Sequence, residues 1–308
     1  MRGSIEALLK NYQVRKSQKE KAAFADWLET QLKEKGYGLT REKYSKEGTN
    51  LVVGDVKKAS VVLAAHYDTQ PNFFIPVLMG FSNWGFFLAS QLAAMAPVLS
   101  MIGLQFALMR LFPANVFVAV LPLALLFAYG MQIMFGIANK HTANDNTSGV
   151  AALIAILEDL PEKDRDKVCA VFFDQEELGL VGSKQFFSRH KADVKDKPLM
   201  NFDCVSDGQT LTFVLKKKFR NSADCATLKV ALEETVGKSE KGLKFLRAAF
   251  SPYMSDQLHF ERGVGVVAAK KSPFGYYINR LHSKWDTKFD HENIELLKAA
   301  MLEMIHNM

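Results

Sequence analysis

Five short polar clusters carry residue types that bind metals or move protons: His66-Tyr67-Asp68, Asn144-Asp145-Asn146, Glu176-Glu177, Asp203, and His282 followed by Asp286. Each alone is weak. A strand-end Asp ordinarily caps a turn, and a Glu-Glu pair ordinarily faces solvent. The isolated histidines His141, His190 and His259 are expected to be satisfied or exposed side chains, not ligands. Together the clusters are informative, because two histidines and three carboxylates make a mixed nitrogen and oxygen donor set. Such a set suits zinc, with manganese or cobalt as substitutes. Two cations sharing one bridging carboxylate need about five such ligands, and the chemistry would be metal-assisted hydrolysis.

Some scaffold must bring these residues together. SVVLAAHYDT, DKVCAVFFDQEE and LMNFDCVSDG read as buried strands with polar residues at their carboxyl ends. Residues 17–36 have helical spacing, with Phe24, Leu28 and Leu32 on one stripe and a glycine stop. NTSGVAALIAILEDLP predicts a helix from about Thr147 to just before Pro161. YGLTREKY, TNLVVG, KFLRAAF and VGVVAAK predict further strands. Helices are expected around 222–236, from Ser255, and from about His291. This alternation predicts an α/β fold with a mixed, mostly parallel central sheet flanked by helices. Ligands in such sheets bind outside the carboxyl ends of strands, where His66, Asp68, Glu176, Glu177 and Asp203 fall.

The 308 residues suffice for one large α/β domain with a full core, but the composition is uneven. Residues 73–139 are nearly all apolar, with Arg110 the only charge. A helix crossing the hydrocarbon core needs about 20 apolar residues. The stretch therefore accommodates one span within Pro76–Leu108, kinked or divided at Pro97, and a second within Asn115–Ile137. Arg110 and Pro113 mark the tip, and the alternative is that residues 98–112 lie along the interface. The predicted organisation is a catalytic domain of 1–72 and 140–308 interrupted at 73–139 by an inserted two-helix transmembrane hairpin. A buried hairpin in a soluble protein would instead need a second domain with almost no polar surface. Residues on both sides of the insert serve one site, so the number of crossings is even. Gly80, Gly85, Ala89 and Ala93 suit close helix packing and make a homo-oligomer an expectation.

The net charge of +6 is modest and the basic residues are scattered, so no nucleic-acid partner is expected. The run Lys216–Lys218 with Arg220 predicts a solvated edge. Three widely spaced cysteines, among them Cys169 and Cys204 in apolar runs, are expected to be buried thiols and point to a reducing compartment. The opening MRGSIEALLK lacks the apolar core of a secretory signal. Nearly all Lys and Arg lie outside the insert. The positive-inside tendency therefore predicts an integral protein of the cell membrane with its catalytic part facing the cytoplasm.

The strings AAHYDT, ANDNTSGVAALI, FFDQEELGLVGS, NFDCVSDG, SDQLHF and LHSKWDT occur in that order. They resemble the metal-binding signature of the M28 aminopeptidases and their di-zinc relatives, over most of residues 20–308 outside the insert. The resemblance implies a zinc-exopeptidase-like fold and two zinc ions. His66 and Asp203 would complete one ion's ligands, Glu177 and His282 the other's, and Asp145 would bridge them. Glu176 would be the general base. Asp68 would sit behind His66 and fix its tautomer, and Asp286 would do similar work behind His282. Ser255-Asp256 match a motif that supports the site. Three departures stand out. Gln257 follows the Ser-Asp pair where relatives often carry His. The Tyr that polarises the scissile carbonyl varies in position, and Tyr253 is the best candidate, with Tyr276 and Tyr277 as alternatives. The short loop between the HYD and NDN segments is replaced by the hairpin, whose roots are therefore expected beside the active-site mouth.

The implied activity is removal of amino-terminal residues from peptides, with membrane-associated or hydrophobic peptides as expected substrates and the lipid bilayer as a partner. Another zinc-dependent amide hydrolase, either a deacylase of N-acyl amino acids or lipopeptides or a carboxypeptidase, would use the same ligands. A glutaminyl cyclase is disfavoured because those enzymes keep fewer metal ligands. A non-catalytic receptor-like protein is disfavoured because all five ligands and the base are present. The preferred amino-terminal residue is not legible, because pocket walls come from loops without signatures.

Overall fold

Two strands, β3 (Val61–His66) and β5 (Val168–Phe173), are buried at every residue. Val61, Leu63 and Ala65 face one helical layer and Val62 and Ala64 face the other, as period-2 alternation demands of a strand covered on both sides. The computed structural model describes residues 2–113 and 115–308. In it β3 pairs in parallel with β5 and with β6 (Leu199–Phe202), and β6 pairs in parallel with β9 (Gly263–Ser272). Antiparallel strands flank this centre. β2 (Thr49–Val53) and β1 (Leu39–Lys43) lie beyond β5, and β7 (Thr210–Leu215) lies beside β9 with β8 (Gly242–Arg247) parallel to it. The sheet is mixed, parallel at its centre and flanked by helices, as the sequence predicts.

One apolar layer holds α1 (Arg2–Asn11), α2 (Gln18–Glu34), the central α5 (Thr147–Asp159), α8 (Ala223–Thr235) and α9 (His291–His306). The other holds α6 (Val181–Val194), through Phe186 and Val194. Helix α2 begins at a reciprocal cap in which Ser17 accepts from the Glu20 amide and the Glu20 carboxylate reaches back. The basic run around Lys216 forms a short helix, α7 (Lys217–Arg220), that buries only Phe219. All three cysteines are buried and unpaired.

The helix expected from Ser255 is a single 3-10 turn, Asp256–His259. The cause is spatial. β9 starts at Gly263, and a Cβ there would lie 2.3 Å from the Gln257 carbonyl oxygen, so the turn folds directly onto the strand. α1, α6 and β7 are elements that the sequence reading did not isolate.

β9 overshoots β6, and its end, Lys270–Ser272, pairs with β10 (Gly275–Leu281), which returns toward the carboxyl edge of the sheet. The outer partner of β10 is β4 (Val77–Gly80), which lies inside the stretch read as hairpin. The apolar helices therefore begin later, as α3 (Trp84–Leu111) and α4 (Val116–Phe135). Pro97 sits within a continuous α3 and does not divide it. Both helices are long and apolar enough to cross a membrane, and almost nothing covers them. Their roots are tied together: the Asn72 amide donates to the Ile137 carbonyl at 2.8 Å, and the Asn139 amide to Gln70 at 3.0 Å.

Candidate metal centre

Each candidate ligand stands where a strand or helix ends. His66 closes β3, Glu176 and Glu177 follow β5, Asp203 follows β6, and His282 follows β10. Asp145 sits one residue before Asn146, the cap of α5. Its neighbours on both sides are staples. Asn144 Oδ1 accepts from the Ser206 and Asp207 amides at 2.9 and 2.8 Å. Asn146 Oδ1 accepts from Gly149 and Cys204, and its Nδ2 donates to the Phe202 carbonyl at 2.9 Å. The start of α5 is thereby locked to the end of β6.

These positions converge. His66, Asp145 and Asp203 present ligand atoms within 4.8 Å of one another, and so do Asp145, Glu177 and His282. Asp145 belongs to both groups through different oxygens. Its Oδ1 is 3.4 Å from His66 Nε2, and its Oδ2 is 3.0 Å from His282 Nε2. His66 Nε2 lies 3.7 Å from Asp203 Oδ1, and His282 Nε2 lies 3.4 Å from Glu177 Oε2. Donors about 2.0–2.2 Å from a tetrahedral zinc are separated by roughly 3.3–3.6 Å, so separations of 3.0–3.7 Å are of the size that suits a metal ion. Glu176 forms a third group with His66 and Glu177.

A carboxylate, Asp68, organises the strand ends. Its two oxygens accept the Glu176 and Glu177 amides at 3.0 and 3.3 Å, and Oδ1 lies 3.6 Å from His66 Nδ1. Asp286 differs from expectation. It does not back His282, whose Nδ1 has no hydrogen-bond partner. Instead its oxygens accept the Asn144 and Asp145 amides at 2.8 and 2.9 Å, so it holds the backbone of the bridging residue. Asp256 is fully buried, with neither oxygen hydrogen-bonded. Ser255 accepts from Asn201, and Gln257 donates to the Tyr253 carbonyl. Tyr253 is buried, and its hydroxyl donates to the Asp203 carbonyl at 2.9 Å. It does not line the cavity over the candidate ligands, and neither do Tyr276 and Tyr277. The hydroxyl expected to polarise a substrate carbonyl thus anchors the Asp203 backbone instead.

The electrostatics call for cations. Burial would pull the His66 imidazolium down, but Glu176, Asp145, Asp203 and Asp68 outweigh it and raise it well above its usual value. Burial, opposed in part by His66 and reinforced by Glu177, pushes Glu176 well up. Burial and the Asp145 charge do the same to Glu177. For Asp145 itself burial is overcome by His282 and His66, which hold it below the usual carboxylate range. Burial raises Asp256 to about 7, and burial with the Asp145 charge raises Asp286 to about 8. Crowded buried carboxylates retain protons unless positive charge is brought in.

One such charge comes from Arg15, which the sequence reading missed. It is fully buried and donates from Nε to the Tyr67 carbonyl and from its terminal nitrogens to Thr147 Oγ1, at 3.2 and 3.3 Å. Burial lowers it to about 10, and Asp68 and Asp145 are among the charges that support it. No motif marks an isolated Arg before a helix cap, so only its surroundings reveal it. Backbone strain gathers here too. Gln175, Cys204 and His282, next to or among the ligands, have φ of 57°, 56° and 54°. Non-glycine residues adopt this region only when their surroundings impose it.

A cavity of ≈ 330 Å³ opens over the cluster. His66, Asp145, Glu176, Glu177, Asp203 and His282 line it together with Phe73, Val77 and Met79 from the stretch before α3 and Gln91 and Ala94 from α3 itself. The Phe73 ring stands edge-on to His282, with centroids 4.9 Å apart, and the Phe73 amide donates to the His282 carbonyl at 2.6 Å. The roots of the hairpin thus meet the mouth of the site, as expected from the position of the insert.

A comparison with curated proteins finds no match. Among solved structures the chain is similar to a Zn-dependent exopeptidase from Parabacteroides distasonis, with 15% identity, 99% of this chain and 98% of that chain covered, and a TM-score of 0.61. It is equally similar to a glutaminyl cyclase from Porphyromonas gingivalis, with 15% identity, 98% and 95% coverage and a TM-score of 0.61. The glutaminyl cyclase of Bacteroides thetaiotaomicron bound to N-acetylhistamine gives 16% identity, 99% and 95% coverage and a TM-score of 0.59. At such identities the likeness establishes a zinc-exopeptidase-like fold and leaves the reaction open. The profile of peptidase family M28 matches residues 130–306, more than half of the chain, and takes in all the candidate ligands except His66, which the geometry adds. The chain belongs to peptidase family M28.

Proposed function

We propose that this protein is a membrane-anchored aminopeptidase that hydrolyses amino-terminal peptide bonds with two zinc ions. The observation that carries the reading is the double engagement of Asp145, one oxygen toward His66 and the other toward His282. His66 and Asp203 would hold one ion, Glu177 and His282 the other, and Asp145 would contribute to both. Bound there, the cations supply Lewis acidity, lowering the pKa of a water and polarising the scissile carbonyl. Glu176 is in the same cavity and is not needed by either Asp145-containing group, which leaves its carboxylate for proton work. It takes the proton of the attacking water and returns it to the leaving amine. Asp68 holds the Glu176 and Glu177 amides and lies 3.6 Å from His66 Nδ1, the ring nitrogen that faces away from Asp145 and Asp203. The carboxylate-rich floor draws the free ammonium group of the substrate, which favours aminopeptidase action over the deacylase and carboxypeptidase alternatives.

Membrane anchoring rests on the two exposed apolar helices and on what surrounds their roots. Trp84, Phe250 and Phe274 are exposed beside the start of α3, and Leu178 is exposed near the end of α4. Aromatic side chains at such a level suit the interface between headgroups and acyl chains. We place the catalytic part on the cytoplasmic face of the cell membrane, and peptides at the bilayer surface are its natural substrates.

The test is metal content and hydrolysis of aminoacyl amides by the full chain purified in detergent, with N-acylated and glutaminyl peptides alongside. Zinc near two equivalents, turnover lost to a chelator, and preference for free-amine substrates are expected. Turnover of N-acylated or glutaminyl peptides alone overturns the assignment. Glu176→Gln should retain zinc and lose at least about a hundredfold in kcat, and near-normal turnover removes Glu176 from the base role. In liposomes, lipid-partitioned peptides should be cleaved faster than soluble ones, and equal rates count against a surface-restricted substrate.

A further inference from the structure

The insert does more than reach the edge of the site. Val77 from β4 and Gln91 and Ala94 from α3 line the same cavity as the ligand cluster, together with Met254, Ile278 and Leu281, the last of which is the strand partner of Val77. The cavity is thus two-sided in character, with ionisable groups on its floor and uncharged, largely apolar groups on this wall. Helix geometry puts the wall at a defined level. α3 has 28 residues and α4 has 20, so α3 outruns its partner by about 12 Å, or some eight residues. Those residues, Trp84 to about Gln91, run beside β4 and the catalytic part before the two helices continue as a pair. Ser90 pins this segment, accepting the Gly80 amide at 3.1 Å. Gln91 and Ala94 therefore meet the cavity where α3 leaves the catalytic part.

Resting on the aminopeptidase reading, we infer that α3 forms the wall of the pocket for the amino-terminal side chain, with Ala94 setting its depth, and that this pocket takes apolar amino-terminal residues. An ionised side chain pressed against this wall would lose its water and meet no opposite charge. A leucine or methionine side chain would bury its apolar surface there, within reach of the ligand cluster at the floor. A segment that looks like a membrane anchor is in this way also part of the specificity apparatus.

The experiment uses the full chain in detergent, loaded with zinc, and aminoacyl amides of Leu, Met, Ala, Glu and Lys. The wild type should prefer Leu and Met over Glu and Lys by at least about a hundredfold in kcat/KM. Ala94→Phe should lower the Leu-to-Ala ratio of kcat/KM at least about tenfold, the scale on which pockets sense side-chain size. Leu92→Phe, on the same helix but not lining the cavity, should leave that ratio unchanged. A second measurement does not depend on turnover. In the Glu176→Gln background, alkylation of an Ala94→Cys variant should slow at least about fivefold with saturating leucinamide but not with glutamate. An unchanged ratio in Ala94→Phe together with unprotected alkylation overturns the inference. Failure of the aminopeptidase reading has a different signature, in which no free-amine substrate is turned over while leucinamide still protects Ala94→Cys.

Discussion

Asp68 accepts the Glu176 and Glu177 amides, one on each oxygen, and lies 3.6 Å from the His66 ring. It couples the end of β3 to the loop after β5 without touching a substrate. Asp68→Asn keeps the size but turns an amide donor toward groups that themselves donate. Partners of this kind typically tune metal affinity by about 10–100-fold. Zinc affinity of Asp68→Asn, measured by competition with a chelator, should fall by that factor, and an unchanged affinity would mean that the backbone alone orients the ligands. At this scale the sequence was most informative where several residues shared one motif. The HYD, NDN and EE clusters identified ligands that the structure brings together. Asp286 was recognised but its partner was not, because a four-residue offset from His282 says nothing about a loop 142 residues away whose amides it accepts. Arg15 was invisible for the same reason, its partners Tyr67 and Thr147 being distant in the chain.

Strands β3, β5 and β6 were legible because burial on both faces leaves continuous apolar runs ended by polar residues. β4 was hidden by the same rule, since Val77–Gly80 merges with the apolar run of the insert and only its pairing with β10 sets it apart. β10 has half-buried residues through most of its length and reads as an ordinary polar segment, although it delivers His282. Helix α5 shows how tightly elements must meet for the site to form. A Cβ on Gly149 would lie 2.1 Å from the Phe202 carbonyl oxygen, which already accepts from Asn146. Backbone faces backbone there, so neither side can yield by changing a rotamer. Gly149→Ala should push α5 away from β6 and cost about 1–3 kcal/mol. Thermal unfolding of the zinc-loaded protein would read the loss, and zinc affinity should fall with it because Asp145 moves with the cap.

At the scale of the whole molecule, the hydrogen bonds between Asn72 and Ile137 and between Asn139 and Gln70 fix both roots of the insert at one level. Chain segments joined in this way cannot lie on opposite sides of a bilayer. α4, with 20 residues, is about 30 Å long, which matches a hydrocarbon core of about 30 Å. On the proposed membrane-spanning reading, the tip at Phe112 emerges on the face opposite to Lys140, the residue just after the return. The three native cysteines are buried, so single reporters can be introduced at these two exposed positions. In sealed vesicles of one orientation, a membrane-impermeant maleimide should label Lys140→Cys and Phe112→Cys from opposite sides. Lys140→Cys should share its side with the catalytic cavity, read as access of a soluble chelator. Labelling of both reporters from one side would mean that α3 and α4 lie along the surface. The apolar faces of the pair would then need another cover, and the match between α4 and the bilayer would be accidental.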